Sequence, residues 1–145
     1  MSKVNLESVD VSVSDELVKN AVRFHGHFGP FLVLGLKAGL LANAILGKDF
    51  FKTKAVVVTN PSPPYSCFID GIQFVTGCTM GKCNIKLKKG KDVSVFFSRD
   101  DKRLGLRLKN EVLNSICNIT SEEEIRCRAS NLLSKSASEL FEIEE

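Results

Sequence analysis

The chain has no tryptophan, one tyrosine and only two histidines in 145 residues, so any imidazole chemistry rests on His25 and His27. It also lacks a charge of one dominant sign. Against 17 Asp and Glu stand 20 Lys and Arg, and a net charge of +3 is too small to make a polyanion the expected partner. Nucleic acid is accordingly not expected to bind. The five cysteines, Cys67, Cys78, Cys83, Cys117 and Cys127, form no CxxC pair and are odd in number, which argues against a disulfide scaffold. The opening stretch MSKVNLESVDVSVSDEL has no apolar core of the signal-peptide kind, and with free thiols it points to a reducing cytoplasm. Internal repeats, low-complexity tracts and long linkers are absent, so residues 1–145 are expected to form one core domain. Hydrophobic residues make up 43% and charged residues 26%, too apolar for a disordered chain; a chain of this length buries roughly 68% of its unfolded surface.

The most apolar run, Phe28 to Gly47, approaches membrane-spanning length but carries Lys37 at its centre, where a charge would be costly in lipid. It reads as a buried helix opened by Pro30 and closed by Gly47, and no membrane association is expected. Gly35, Ala38, Gly39 and Ala42 put small residues at helical spacing, a seam for close approach of either a second subunit or another part of the same chain.

Ser12 and Asp15 have capping-box spacing and predict a first helix from about Val13 to Arg23. Lys54 to Thr59 (KAVVVT) reads as a buried strand, NPSPPYS as a rigid turn, and Cys67 to about Thr76 as a helix. Three segments, Asn84 to Lys89, Val93 to Ser98 and Leu104 to Lys109, read as an antiparallel meander, the third being equally compatible with a helix. The basic hairpin expected around Lys86, Lys88, Lys89 and Lys91 reads as a solvated face, because like charges on an exposed strand discourage edge pairing, and not as a nucleic-acid site, because Phe96 and Phe97 are adjacent and only one can face a given side to stack a base. Ser121 with Glu124 predicts a last helix reaching about Lys135. Helices and strands in this order give an α+β fold, an antiparallel sheet packed with helices.

Three polar segments stand out: FHGHFGP from Phe24, CFIDGIQ from Cys67 and TGCTMGKCN from Thr76. Gly26 lets the backbone turn between the histidines, so the imidazoles either converge or point apart, and spacing leaves both open. Cys67 at a helix start would meet the positive end of the dipole, which lowers a thiol's pKa and favours the metal-binding thiolate; a buried, inert cysteine is the alternative. Asp70 lies one turn along the same face. Gly77 and Gly81 would leave backbone N–H groups free to cradle an anion beside Lys82, although the glycine spacing is not that of a P-loop. Cys67 and Cys78 are 11 residues apart, about 16 Å along a continuous helix, so sharing one metal requires a chain reversal near Gly77 or a ligand from a partner subunit.

Together and in this order, Phe24-His25-Gly26-His27, Cys67-Phe68-Ile69-Asp70-Gly71-Ile72-Gln73 and Thr76-Gly77-Cys78-Thr79-Met80-Gly81-Lys82-Cys83-Asn84 resemble the motifs of the formylmethanofuran dehydrogenase E-subunit family. The resemblance covers nearly the whole chain, and LLSKSASELFEI is similar to the close of that family's core domain. It implies an α+β homodimer with a metal site around the motif histidines and cysteines, associated with molybdenum or tungsten redox metabolism. Gly29 stands where the family commonly has a cysteine, and Cys83 is a candidate to make up that loss. The resemblance makes His25, His27, Cys67 and Cys78 the first choices for ligands, and Asp70, Gln73, Thr79, Lys82 and Cys83 the supporting or ligand-binding residues. Zinc is the default for mixed imidazole and thiolate donors, with nickel and iron compatible. Two functions follow: a metal-dependent enzyme or accessory, or a binding module without catalysis that docks to a larger redox complex. The sequence names no substrate and no catalytic residue.

Overall fold

Helix α2 (Pro30–Leu46) is the axis of the molecule. Proline at its first turn and Gly47 at its C-cap bound it as expected, and from Pro30 to Gly39 it is buried on every side, which is why that stretch is apolar nearly all round. Lys37, 2% exposed, is no exception: its Nζ donates to the carbonyls of Leu133 at 2.7 Å and Lys135 at 2.9 Å, the negative end of another helix. The computed structural model describes Val9 and residues 11–145. Within them no helix is long and apolar enough to cross a membrane.

The small-residue seam of α2 is used inside the subunit. Helix α3 (Cys67–Thr76) lies along it so closely that a Cβ on Gly35 would fall 2.2 Å from the Phe68 carbonyl oxygen, and one on Gly71 2.5 Å from that of Leu32. Farther along, Asn43 Nδ2 donates to the Val75 carbonyl at 3.1 Å and ties the end of α3 to α2. Helix α1 (Asp15–His25) packs against α3. Its N-cap is Ser14, which accepts from the Leu17 amide, in place of the expected Ser12, and both ends of the helix lie later in the chain than its spacing indicates.

The sheet runs β2-β1-β3-β4-β5, with β1 Lys54–Thr59, β2 Ile85–Lys89, β3 Ser94–Arg99, β4 Lys102–Leu108 and β5 Phe141–Glu144. The fold is α+β, as expected, and β3, β4 and β5 are antiparallel. The expected β2–β3 hairpin is corrected: β1 lies between them, parallel to β2 and antiparallel to β3. The all-apolar VVV of β1 is what a central strand requires, whereas lysine-rich β2 suits an edge. The third segment of the meander is strand β4. Helices α4 (Asn110–Ile116) and α6 (Ala137–Leu140), and strand β5, are additions to the elements expected from the sequence. Helix α5 (Glu122–Leu133) is capped by Ser121 as expected.

Ala55, Val57, Val95, Phe97, Leu104, Leu106 and Phe141 point from the sheet toward α2 and form one core with it. On the other side of the sheet Phe96 is 51% exposed, so the adjacent phenylalanines do divide between the two faces.

Candidate metal centre

His25 is the last residue of α1. Gly26 then adopts φ 108°, a conformation that favours glycine, while its N–H closes the helix onto the Val22 carbonyl at 2.6 Å. The reversal brings His27 back over His25: the rings lie 4.6 Å apart at an angle of 54°, and the two Nε2 atoms are 3.3 Å apart. The imidazoles converge. Cys67, buried at the first residue of α3, completes the group, and the donor atoms of His25, His27 and Cys67 all lie within 4.8 Å of one another.

A chain of hydrogen bonds joins the three sequence motifs. The His25 Nδ1–H donates to Asp70 Oδ2 at 2.6 Å, which fixes the ring with Nε2 pointing toward His27. Gln73 Nε2 donates to Asp70 Oδ1 at 3.4 Å, and the Met80 amide donates to Gln73 Oε1 at 3.0 Å. Asp70 and Gln73 thus act from one face of α3, three residues apart, as i,i+3 neighbours do.

The remaining candidates are placed elsewhere. Cys78 follows Gly77, whose φ of 77° turns the chain, but its thiol stays in the core and donates to the Thr53 carbonyl at 3.4 Å. It is not part of the cluster found among the described residues. Thr79 gives its amide to Asn84 Oδ1 at 2.8 Å and its hydroxyl accepts from Lys82 Nζ at 3.2 Å. Cys83 is exposed, with a φ of 60° in the turn leading to β2. Of the two glycines expected to offer amides to an anion, Gly77 donates to the Gln73 carbonyl, and the amides of Cys78, Thr79, Met80, Lys82 and Cys83 beside them also donate to protein acceptors. Lys82 instead stands over the rings of Phe50 and Phe51, 5.9 Å from each centroid.

The thiol expectation also reverses. Burial raises the pKa of Cys67 above the usual thiol range, the nearby Asp70 charge adds to that, and the helix-start hydrogen bond opposes it only in part. Burial likewise raises that of Cys78, against the opposing Thr76 hydrogen bond and Lys82 charge. Both thiols therefore carry their protons at neutral pH unless a metal displaces one.

A small apolar cavity of about 70 Å3 adjoins the cluster, walled by His27, Cys67, Phe31, Ile116, Ile119 and Ile125. The three isoleucines come from α4, α5 and the link between them, and their only sequence signal is that they are apolar residues flanking the Ser121 cap. Gly29 borders the same space: a Cβ there would lie 2.9 Å from His27 Cε1.

Residues 24–142 match the family model described as FmdE, molybdenum formylmethanofuran dehydrogenase operon. A tungsten formylmethanofuran dehydrogenase FmdE-like protein from Syntrophus aciditrophicus has a similar solved structure, with a TM-score of 0.64 at 18% identity, over 99% of this chain and 76% of that one. A probable S-adenosyl-L-methionine-binding protein from Archaeoglobus fulgidus is 33% identical over 88 residues. The match takes in 59% of this chain but only 24% of that protein, about a quarter of its length.

Proposed function

The chain belongs to the FmdE family, and from that membership and the cluster at the start of α3 we propose that it binds one transition-metal ion through His25 Nε2, His27 Nε2 and Cys67 Sγ. The observation that carries this reading is the 3.3 Å between the two Nε2 atoms. Two nitrogens bound to one tetrahedral zinc at ~2.05 Å each would be about 3.3 Å apart. Asp70 holds the His25 ring in the tautomer that presents Nε2, the role a carboxylate behind a ligating histidine plays.

Three protein donors, with glycine where the family commonly has a cysteine, leave a coordination position free, the arrangement of reactive rather than structural sites. The apolar wall of Phe31, Ile116, Ile119 and Ile125 keeps water sparse on one side, while exposed His27 opens the other. A bound ion there would supply Lewis-acid polarisation of a substrate oxygen. Zinc fits the imidazole and thiolate set, and nickel and iron are compatible with it. The protein is then a metal-dependent enzyme or metal-handling accessory of molybdenum- or tungsten-linked redox metabolism.

Metal analysis of untagged protein tests the reading, with about one ion per chain expected after growth with zinc, nickel and iron. No metal, and none taken up on titration, overturns it. Asp70→Asn should weaken binding by about 10- to 100-fold without removing a ligand.

A second reading, a docking module for a larger redox complex, is favoured by one surface: Phe50 and Phe51 are exposed around Lys82, with exposed Met80 on the same turn. Co-purification of a large redox partner, lost on Phe51→Ser, would support it; metal-dependent turnover by the isolated protein would favour the first reading.

A further inference from the structure

The cavity beside the metal cluster is the space of a missing side chain. A Cβ on Gly29 would lie 2.9 Å from His27 Cε1 and 3.8 Å from Ile125 Cγ2, and both of those residues wall the cavity. Any side chain at position 29 would therefore stand inside it. Among the residues around this space only His27 and Cys67 carry polar side chains, and these are two of the three proposed ligands. The rest are glycine, prolines, Phe31 and the isoleucines of α4, α5 and their link. A cavity holds water when about two to four polar groups bond it, and here no polar side chain is left over once a metal is bound. Water is poorly held there, and hydrocarbon gains by entering.

The occupant must be small. Benzene's six carbons fill a cavity of about 150 Å3, so one of about 70 Å3 admits about two to three carbon atoms. Charge sets the other end of the molecule. A divalent ion less the Cys67 thiolate leaves one positive charge at the mouth of an apolar space, while Asp70 acts from behind the His25 ring and is not among the cavity walls. A charge beside such a wall is costly to leave unbalanced, and one anionic oxygen donor on the incoming molecule balances it.

Resting on the metal reading above, we propose that the substrate class of this site is the short-chain monocarboxylates with about two to three carbon atoms beyond the carboxyl group, propanoate and butanoate by size. The carboxylate takes the free coordination position and the hydrocarbon end takes the cavity. Gly29 makes the room and Ile125 closes it. Selection is then by length and by polarity: a longer chain has no further wall to bury against, and a hydroxyl on the hydrocarbon end finds no partner.

The full chain loaded with divalent cobalt tests this without turnover, because the visible spectrum of the ion shifts when a ligand enters its coordination sphere. Titrated with the straight-chain series from acetate to hexanoate, affinity should rise by up to about fourfold for each added methylene and stop rising at butanoate. β-Hydroxypropanoate, with a hydroxyl where butanoate has its end methyl, should bind at least about tenfold more weakly than butanoate. Ile125→Ala opens the wall and should move the cut-off to pentanoate or hexanoate. Ile119→Ala is the second variant for the same shift, and circular dichroism checks that each folds. Metal content measured on every sample separates this proposal from the reading beneath it. A chain that takes up no metal overturns both. A chain that holds its metal but binds the series without regard to length, gains steadily through hexanoate, binds the hydroxy acid as well as butanoate, or keeps its cut-off in both folded isoleucine variants overturns this proposal alone.

Discussion

Helix α3 has a buried cysteine at its start and another just past its end, and the two differ in what surrounds the sulfur. At the start, Cys67 faces two imidazoles brought over it by the turn at Gly26. Past the end, Cys78 faces a backbone carbonyl, and the amides of Gly77, Cys78 and Thr79 donate to protein acceptors. Burial pushes both thiols in the same direction, upward. Burial and a raised pKa thus fail to distinguish a site from a core position. Convergence of donors from different elements distinguishes them.

The contrast breaks most completely if α3 is lifted from α2, because both ends depend on that contact. Gly35→Ala places a methyl 2.2 Å from the Phe68 backbone oxygen, which no side-chain motion relieves. It should cost about 3 kcal/mol or more, with loss of metal binding, read by urea denaturation and metal titration together.

Next come the two cysteines taken singly. Cys67→Ser should lower metal affinity by about 100-fold or more in a chelator competition, with the urea midpoint little changed. Cys78→Ser should do the reverse, losing about 1–2 kcal/mol of stability through a more polar group in the core while metal affinity stays within about twofold. Equal effects on affinity would place Cys78 at the metal after all.

A smaller effect comes from pH. A thiol held above its unfolded pKa keeps its proton in the folded chain after the unfolded chain has lost it. The metal-free protein should therefore be most stable below the ordinary thiol range and lose stability as pH rises through it. Metal binding has the opposite trend, since it must displace the Cys67 proton: affinity should rise by up to about tenfold per pH unit through the neutral range. Urea midpoints and competition titrations at stepped pH check the two signs. The smallest effect belongs to Cys83→Ser, which should leave affinity within about twofold, because Cys83 sits exposed in a turn outside the cluster.

Much of this molecule is legible locally. Helix α3 spans the residues its apolar spacing indicates, α2 begins at its proline and ends at its glycine, and Ser121 caps α5. These features depend on neighbours within a few residues, where backbone conformation and capping are decided. The first cap falls at Ser14 and not at the expected Ser12 because both serines precede acidic residues, and only the folded chain selects between them. For the site, the residue types are legible: two histidines around a glycine, a cysteine and an aspartate one turn apart on a helix.

What the sequence by itself determined is the set of local pieces and the chemistry they carry. The tertiary structure alone decided how those pieces meet. Nothing local says that β1 inserts between β2 and β3, because a strand's partners are chosen by which faces can be buried together, and KAVVVT had to be central while IKLKK had to be an edge. Nor could spacing say whether the imidazoles converge, since one glycine permits either direction. The packing of α1 against α3 decides that, by bringing His25 within 2.6 Å of Asp70, 45 residues away. The same packing leaves Cys78 in the core, at the far end of a rigid helix about 15 Å long, where no rotation of its side chain could bring it to the histidines.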